Sequence, residues 1–146
     1  MTRFYEALQR RDGEAMGACY APDVRFSDPV FPDLRGDDAR RMWRMLTARA
    51  KEFRVEFRDV RSDGVTGSGH VEAWYLFGAT GRRLHNIIDG TFTFRDGLIA
   101  THTDRFDLYR WARQALGAKG VLLGWTPVVQ GAIRRQAAQG LERYAG

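Results

Sequence analysis

The sequence has a single cysteine, Cys19, among 146 residues, which excludes an internal disulfide. In its helical, apolar setting that thiol reads as a small packing residue, not a nucleophile. No run approaches the roughly 20 apolar residues needed to cross a bilayer, so no spanning helix is expected. The opening MTRFYEALQRRDGE has acids and arginines where a secretory leader carries an unbroken apolar segment. The expectation is a soluble, cytoplasmic protein with no membrane partner. Histidine is scarce too: His70, His85 and His102 stand on separate stretches with no ligand spacing, and no metal site is expected. The glycines of SDGVTGSG follow no buried strand, open no helix and lack the lysine of a phosphate loop. They read as a hairpin connection, and no cofactor is expected.

Lysine is nearly missing, since 21 of the 23 basic residues are arginine. The net charge is +5 and the isoelectric point about 9.9. A nucleic-acid surface needs those cations gathered on one face with aromatic platforms. Here they are interleaved with acids, as in FRVEFRDVRSD, so no nucleic-acid partner is expected.

What is present is ordinary globular composition, 44% hydrophobic and 28% charged, over a length that suits one domain, 1–146. Phe4, Leu8, Ala15, Ala18 and Cys19 predict a helical start with Thr2 as its cap, divided near Asp12 and Gly13. A second helical run, ARRMWRMLTARA, follows Asp37 and Asp38 as candidate caps, with Met42, Met45 and Leu46 on one face. From residue 53 the period becomes two, with Phe53, Val55 and Phe57 alternating with charges, and three further strands follow in HVEAWYLFGA, RLHNIIDGTFTF and LIATHTDRF. Helices then strands returning on one another give an α+β fold, helices on one face of a mostly antiparallel sheet. Residues 107–146 form a helical C-terminal extension. Asp107 caps one helix that stops at Gly117; Thr126 and Pro127 open another. The stripe Val128, Val129, Ala132, Ile133, Ala137 and Leu141 is placed to close a pocket or to dock a partner subunit.

Two features carry chemistry. In VRFSDPVFPD the residues Val24, Phe26, Asp28 and Val30 share one strand face, so a carboxylate continues an apolar row. Either Asp28 caps the strand end or it sits in a pocket. On the last hairpin a two-residue turn at Asp96 and Gly97 would pair Phe94 with Ile99 and Phe92 with Thr101, whereas a three-residue loop from Arg95 to Gly97, which buries more, pairs Phe94 with Leu98, Gly90 with His102 and Ile88 with Asp104. That register gathers Asn86, His102 and Asp104 on the face of Ile88 and Phe92, a mostly apolar surface with a few polar groups, as in a ligand pocket. His102 and Asp104, two apart, are placed for Asp104 to orient the imidazole. Trp74 and Tyr75 lie on opposite faces of their strand, and one of them should be wall.

The order and spacing of YAPDVRFSDPV, the helix after it and the closing FRDGLIATHTDRFD resemble the ketosteroid isomerase and SnoaL-like polyketide cyclase superfamily, also called nuclear transport factor two-like. The likeness covers roughly Thr2 to Leu116. It implies a cone: a curved sheet wrapped around the N-terminal helices, a cystatin-like α+β barrel with a deep apolar cavity, often as a homodimer. It implies that Asp28 stands where the isomerases move a proton between carbons. It puts Phe4 at the place of their oxyanion tyrosine, with Tyr5 beside it, and Gly90 or Thr91 near their second donor. Related cyclases and epoxide hydrolases carry polar groups on the later strands, where Asn86, His102 and Asp104 stand. The expected function is an acid/base enzyme without cofactor, an isomerase, cyclase or hydrolase of a small hydrophobic carbonyl, polyketide or steroid-like compound. Asp28, His102 and Asp104 would be catalytic, and Tyr5, Phe26, Trp74, Tyr75, Asn86, Ile88 and Phe92 would hold substrate. The alternative is a binding or dimerisation module of the same fold without chemistry.

Overall fold

The computed structural model describes residues 1–144. Helices α1 (Thr2–Gln9) and α2 (Gly13–Ala18) lead into strand β1 (Tyr20–Ser27) and a two-residue strand β2 (Leu34–Arg35) that the sequence pattern does not announce. Helix α3 (Asp37–Arg49) precedes four long strands, β3 (Lys51–Ser62), β4 (Thr66–Phe77), β5 (Arg82–Arg95) and β6 (Leu98–Arg105). Helices α4 (Leu108–Leu116), α5 (Ala118–Leu123) and α6 (Pro127–Arg143) end the described chain. The sheet is six-stranded, in the order β2-β1-β6-β5-β4-β3. Every pair is antiparallel except β1 with β6. The sheet curves without closing, so the architecture is the expected α+β cone in open form.

Local chemistry explains most boundaries. Asp12 accepts a hydrogen bond from the Ala15 amide at 3.0 Å and starts α2. Asp107 and Thr126 cap α4 and α6 in the same way, and Gly117 takes the positive φ of 64° that stops α4. Thr2 and the acids of α3 depart from expectation. The cap of α1 is Met1, and α3 begins at Gly36 without a side-chain bond, leaving Asp37 and Asp38 in the first turn to oppose the helix dipole.

The last hairpin also departs. Asp96 and Gly97 both have positive φ, 54° and 78°, the requirement of a two-residue turn. Arg95 therefore faces Leu98 and Phe94 faces Ile99, and Ala100 is then an extra residue in β6. Beyond this bulge Phe92 pairs with His102 and Gly90 with Asp104, in place of the expected partners. The bulge restores the parity that a shorter turn would have reversed. Asn86, Phe92, His102 and Asp104 are all buried on the concave face, and Ile99, not Leu98, completes the apolar wall.

Two apolar clusters pack against that face. The larger unites α1–α3 with the sheet through Phe4, Met16, Val24, Phe26, Met42 and Trp43. The smaller, with Leu84, Leu108, Trp111, Val129 and Ile133, seats α4 and α6. Leu46, expected with Met42 and Met45 in the core, is 41% exposed. Val30 and Tyr75 border both clusters, and the space between them is not filled.

Candidate active site

That space is a cavity of about 310 Å³, at the lower end of the range for small-molecule sites. Its walls are mostly aromatic and aliphatic, and Leu46, Arg49, Leu76 and Gly78 form one rim. A wider depression of about 610 Å³ near Arg61, Ser62 and Thr91 lies open to solvent and holds none of the candidate acids.

Asp28 resolves the choice left by the sequence by doing both things. Its Oδ1 accepts the amides of Val30 at 2.7 Å and Phe31 at 2.6 Å, closing the turn after β1. The carboxyl also lines the cavity. Burial pushes it up from 3.8 to about 6, with the Asp104 charge adding to the rise and the two amides and His102 opposing it.

His102 and Asp104 are joined, as their spacing on β6 predicts. His102 Nε2 lies 2.7 Å from Asp104 Oδ1, and Nδ1 lies 2.8 Å from the Tyr20 hydroxyl. That hydroxyl accepts from Trp43 Nε1 at 2.8 Å. Indole N–H only donates, so the Tyr20 proton is left for His102 Nδ1, and the Nε2 proton then points at Asp104. The directed chain Trp43, Tyr20, His102, Asp104 occupies both ring nitrogens of an imidazole that is 1% exposed. The expected roles are thereby exchanged: the imidazole orients the carboxylate, and Asp104 is the member with an oxygen left for the cavity.

Tyr5, beside Phe4 on α1, also lines the cavity. Its ring lies on a bare patch of sheet made by Gly69 and Gly90, which face each other across β4 and β5. A Cβ on Gly90 would stand 2.8 Å from the Tyr5 hydroxyl and 3.0 Å from Asp104 Oδ1, so only glycine leaves room for both. The hydroxyl is buried without a hydrogen-bond partner among the described residues. Burial and the Asp104 charge push its proton affinity well above that of an ordinary tyrosine. Tyr75 accepts from Trp111 Nε1 at 2.9 Å, which leaves its own proton free. Burial pushes it up to about 12, and the Asp28 charge adds to the rise. Asn86, 6% exposed, lines the cavity with no side-chain hydrogen bond among the described residues.

Of the other expected wall residues, Ile88 lines the cavity. Phe26 and Phe92 stand behind it, clasping His102 with ring centroids 5.0 and 4.1 Å away. Trp74 is a correction: its side chain lies on the opposite face of the sheet, stacked on His85 at 4.6 Å and under the Arg54 guanidinium. The parity of β4 gives one face to Tyr75 and the other to Trp74. Sequence reasoning missed Tyr20 and Trp43. Tyr20 keeps even spacing with Val24, Phe26 and Asp28, a usable signal; Trp43, inside a stripe that reads as core, gives none.

A SnoaL-like domain family model matches residues 1–102. The chain belongs to the SnoaL-like family. An LEH-like epoxide hydrolase from M. tuberculosis is 25% identical at a TM-score of 0.63, covering 88% of this chain and 90% of its own. A proposed polyketide cyclase from Xanthomonas campestris pv. campestris is 26% identical at 0.63, over 78% and 92%. A protein of ketosteroid isomerase-like fold from Catenulispora acidiphila DSM 44928, solved with trimethylamine, is 16% identical at 0.70, over 86% and 95%, and shares the fold. No curated protein matches the chain at a significant level. Tyr5, Asp28, Asn86 and His102 of this SnoaL-like chain fall inside the matched span; Asp104 and α4–α6 follow it.

Proposed function

We propose that the protein is a proton-transfer enzyme acting on a small hydrophobic carbonyl compound, polyketide or steroid-like in type. The observation that carries this reading is the Asp28 carboxyl in an apolar cavity with a proton affinity raised to about 6. An ordinary carboxylate near 3.9 is a poor base toward carbon, whereas one near the working pH is both ionised and basic enough.

Asp28 removes a proton from the carbon beside the substrate carbonyl, forming an enolate. Hydrogen bonds from Tyr5 and Asn86 meet the charge that develops on oxygen, in a setting with little water to compete. Asp28, now protonated, returns the proton at another carbon, or the enolate attacks a second carbonyl of the same molecule, whose C=O π bond opens to an alkoxide that takes the proton back from Asp28. Isomerisation and cyclisation are the two outcomes. Asp104, braced by His102, adds a fixed negative charge that raises the basicity of Asp28. His102 is a positioning residue in this scheme.

The test is deuterium exchange: hydrophobic ketones and enones are incubated with the protein in deuterium oxide, and label at the α carbon is measured by mass spectrometry. Exchange by the native chain and its loss in Asp28→Asn support the proposal. Exchange that survives Asp28→Asn overturns it. A second reading, ligand binding without chemistry, is favoured by one observation, that the turn amides already account for Asp28 Oδ1. It predicts that ketones bind without any exchange.

A further inference from the structure

The charge of the chain is unevenly distributed in a way its total conceals. Residues 108–141 contain five basic residues, Arg110, Arg113, Lys119, Arg134 and Arg135, and no acid, so the rest of the chain has 18 of each sign. The whole net charge of +5 therefore resides in α4–α6.

The same segment exposes the largest run of apolar side chains on the described surface. Val121 is 51% exposed, Leu122 70%, Leu123 47%, Trp125 64% and Val128 77%. They cluster at the α5–α6 corner because the corner is built to push them out. Gly120 and Gly124 take the packed side of α5, where a Cβ would strike the α4 backbone or Ala112, leaving the other face without a neighbour. Cations stand beside them. Lys119 is one turn before Leu122 and Leu123 on α5, and Arg135 is two turns after Val128 on α6. Arg113 stacks over the Tyr109 ring, whose hydroxyl donates to the Val121 carbonyl. All three are exposed.

We infer that the α5–α6 corner is a docking surface for an anionic lipid bilayer. Leu122, Trp125 and Val128 enter the headgroup boundary, and Arg113, Lys119 and Arg135 meet its negative charge. Apolar insertion and basic charge are the two signals that peripheral attachment needs, and each alone is weak. A second copy docked here would set the exposed Arg113, Lys119 and Arg135 against the same cations of its partner, which argues against a second copy as occupant. No described helix is long and apolar enough to cross a membrane, so the contact is with one face of the bilayer. The inference departs from the expectation of no membrane partner. The charge division can be counted in the sequence, but the exposure of the corner cannot.

The full chain is sedimented with extruded phosphatidylcholine vesicles, with and without phosphatidylglycerol. Binding to the anionic vesicles should exceed binding to the neutral ones on the order of a hundredfold, the combined pull of three exposed cations, and should fall as salt rises. Brominated lipid should quench tryptophan emission in the native chain and much less in Trp125→Phe. The double variant Leu122→Ser, Trp125→Ser should keep its circular dichroism spectrum and lose the vesicles. Equal binding to both vesicle types, or none at low salt, overturns the inference. So does a native dimer in solution that the double variant converts to monomer, since a second copy would then cover the corner.

Discussion

The carboxyl of Asp28 divides its oxygens between a turn and a cavity, and the division has a cost in stability. The folded chain holds the Asp28 proton to about 6 against an ordinary 3.8, chiefly because burial disfavours the charge. Between those values the folded state binds more protons than the unfolded one, so stability declines as pH rises from near 4 to near 6 and stays lower above. The decline attributable to this group is up to about 3 kcal/mol. Asparagine keeps the oxygen that accepts the Val30 and Phe31 amides and removes the charge. Asp28→Asn should therefore match the native chain at pH 3.5 and be the more stable by about 1–3 kcal/mol at pH 7.5, read by urea unfolding at both. A difference that does not change with pH would show that Asp28 is not the strained group. A residue that weakens the fold while it serves the cavity is what an active-site role predicts.

At the scale of elements, α6 reaches the turn that holds this carboxyl, from outside the matched family region. Arg134 Nε donates to the Pro29 carbonyl at 2.8 Å, in the turn whose amides hold Asp28. Farther along, Arg41 of α3 donates to the Leu141 carbonyl, and Arg49 lies over the Tyr144 ring at 5.3 Å. The helix is thus pinned at its middle and end across the Asp28 turn. The charged and titratable groups that act on Asp28 are Asp104 and His102 from β6 and Tyr75 from β4. Arg134→Ala should loosen the two amide bonds that hold the Asp28 midpoint down, and so raise it above 6. Carbon-13 detected titration of the Asp28 carboxyl checks this; Arg134→Lys, which keeps charge and a donor, should recover most of the native value. An unmoved midpoint in Arg134→Ala would make the bond to Pro29 a packing detail.

Elements also show how far the sequence could be read. The strand face of Val24, Phe26 and Asp28 and the pairing of His102 with Asp104 follow from a period of two, which covalent geometry imposes. The register of β5 on β6 does not follow from that period. It depends on whether Asp96 adopts a positive φ and on the extra residue at Ala100, two local choices that cancel in parity and so leave the face right while shifting each partner. Tyr5 is expected among the substrate-holding residues from the resemblance alone, and nothing local reveals that Gly69 and Gly90, distant in sequence, clear its place. Trp43 gives no signal for the same reason, and Tyr20 gives only its even spacing with Val24 and Phe26. A donor chain assembled from α3, β1 and β6 has no sequence period.

Considered whole, the molecule keeps a hollow between two packed clusters, and a hollow lined by apolar groups is a place where a ligand stabilises the fold. A ligand that binds only the folded chain stabilises it by about 2.7 kcal/mol at a hundred times its dissociation constant. For a chain of this length that is a rise in Tm of roughly 5–10 °C. The polar groups set its pH dependence. A neutral ketone or phenol displaces water from the Asp28 carboxyl and so penalises its charged form further. Such a ligand should bind more tightly at pH 5, where Asp28 is mostly protonated, than at pH 8, where it is ionised. Thermal shifts with a panel of small ketones and phenols should therefore be larger at pH 5. The pH dependence should vanish in Asp28→Asn, whose amide is neutral throughout. Shifts equal at both pH values in the native chain would place the ligand away from Asp28, and shifts larger at pH 8 would mark a cationic ligand paired with the ionised acids. The direction of one thermal shift thus reports which charge the cavity accepts before any turnover is measured.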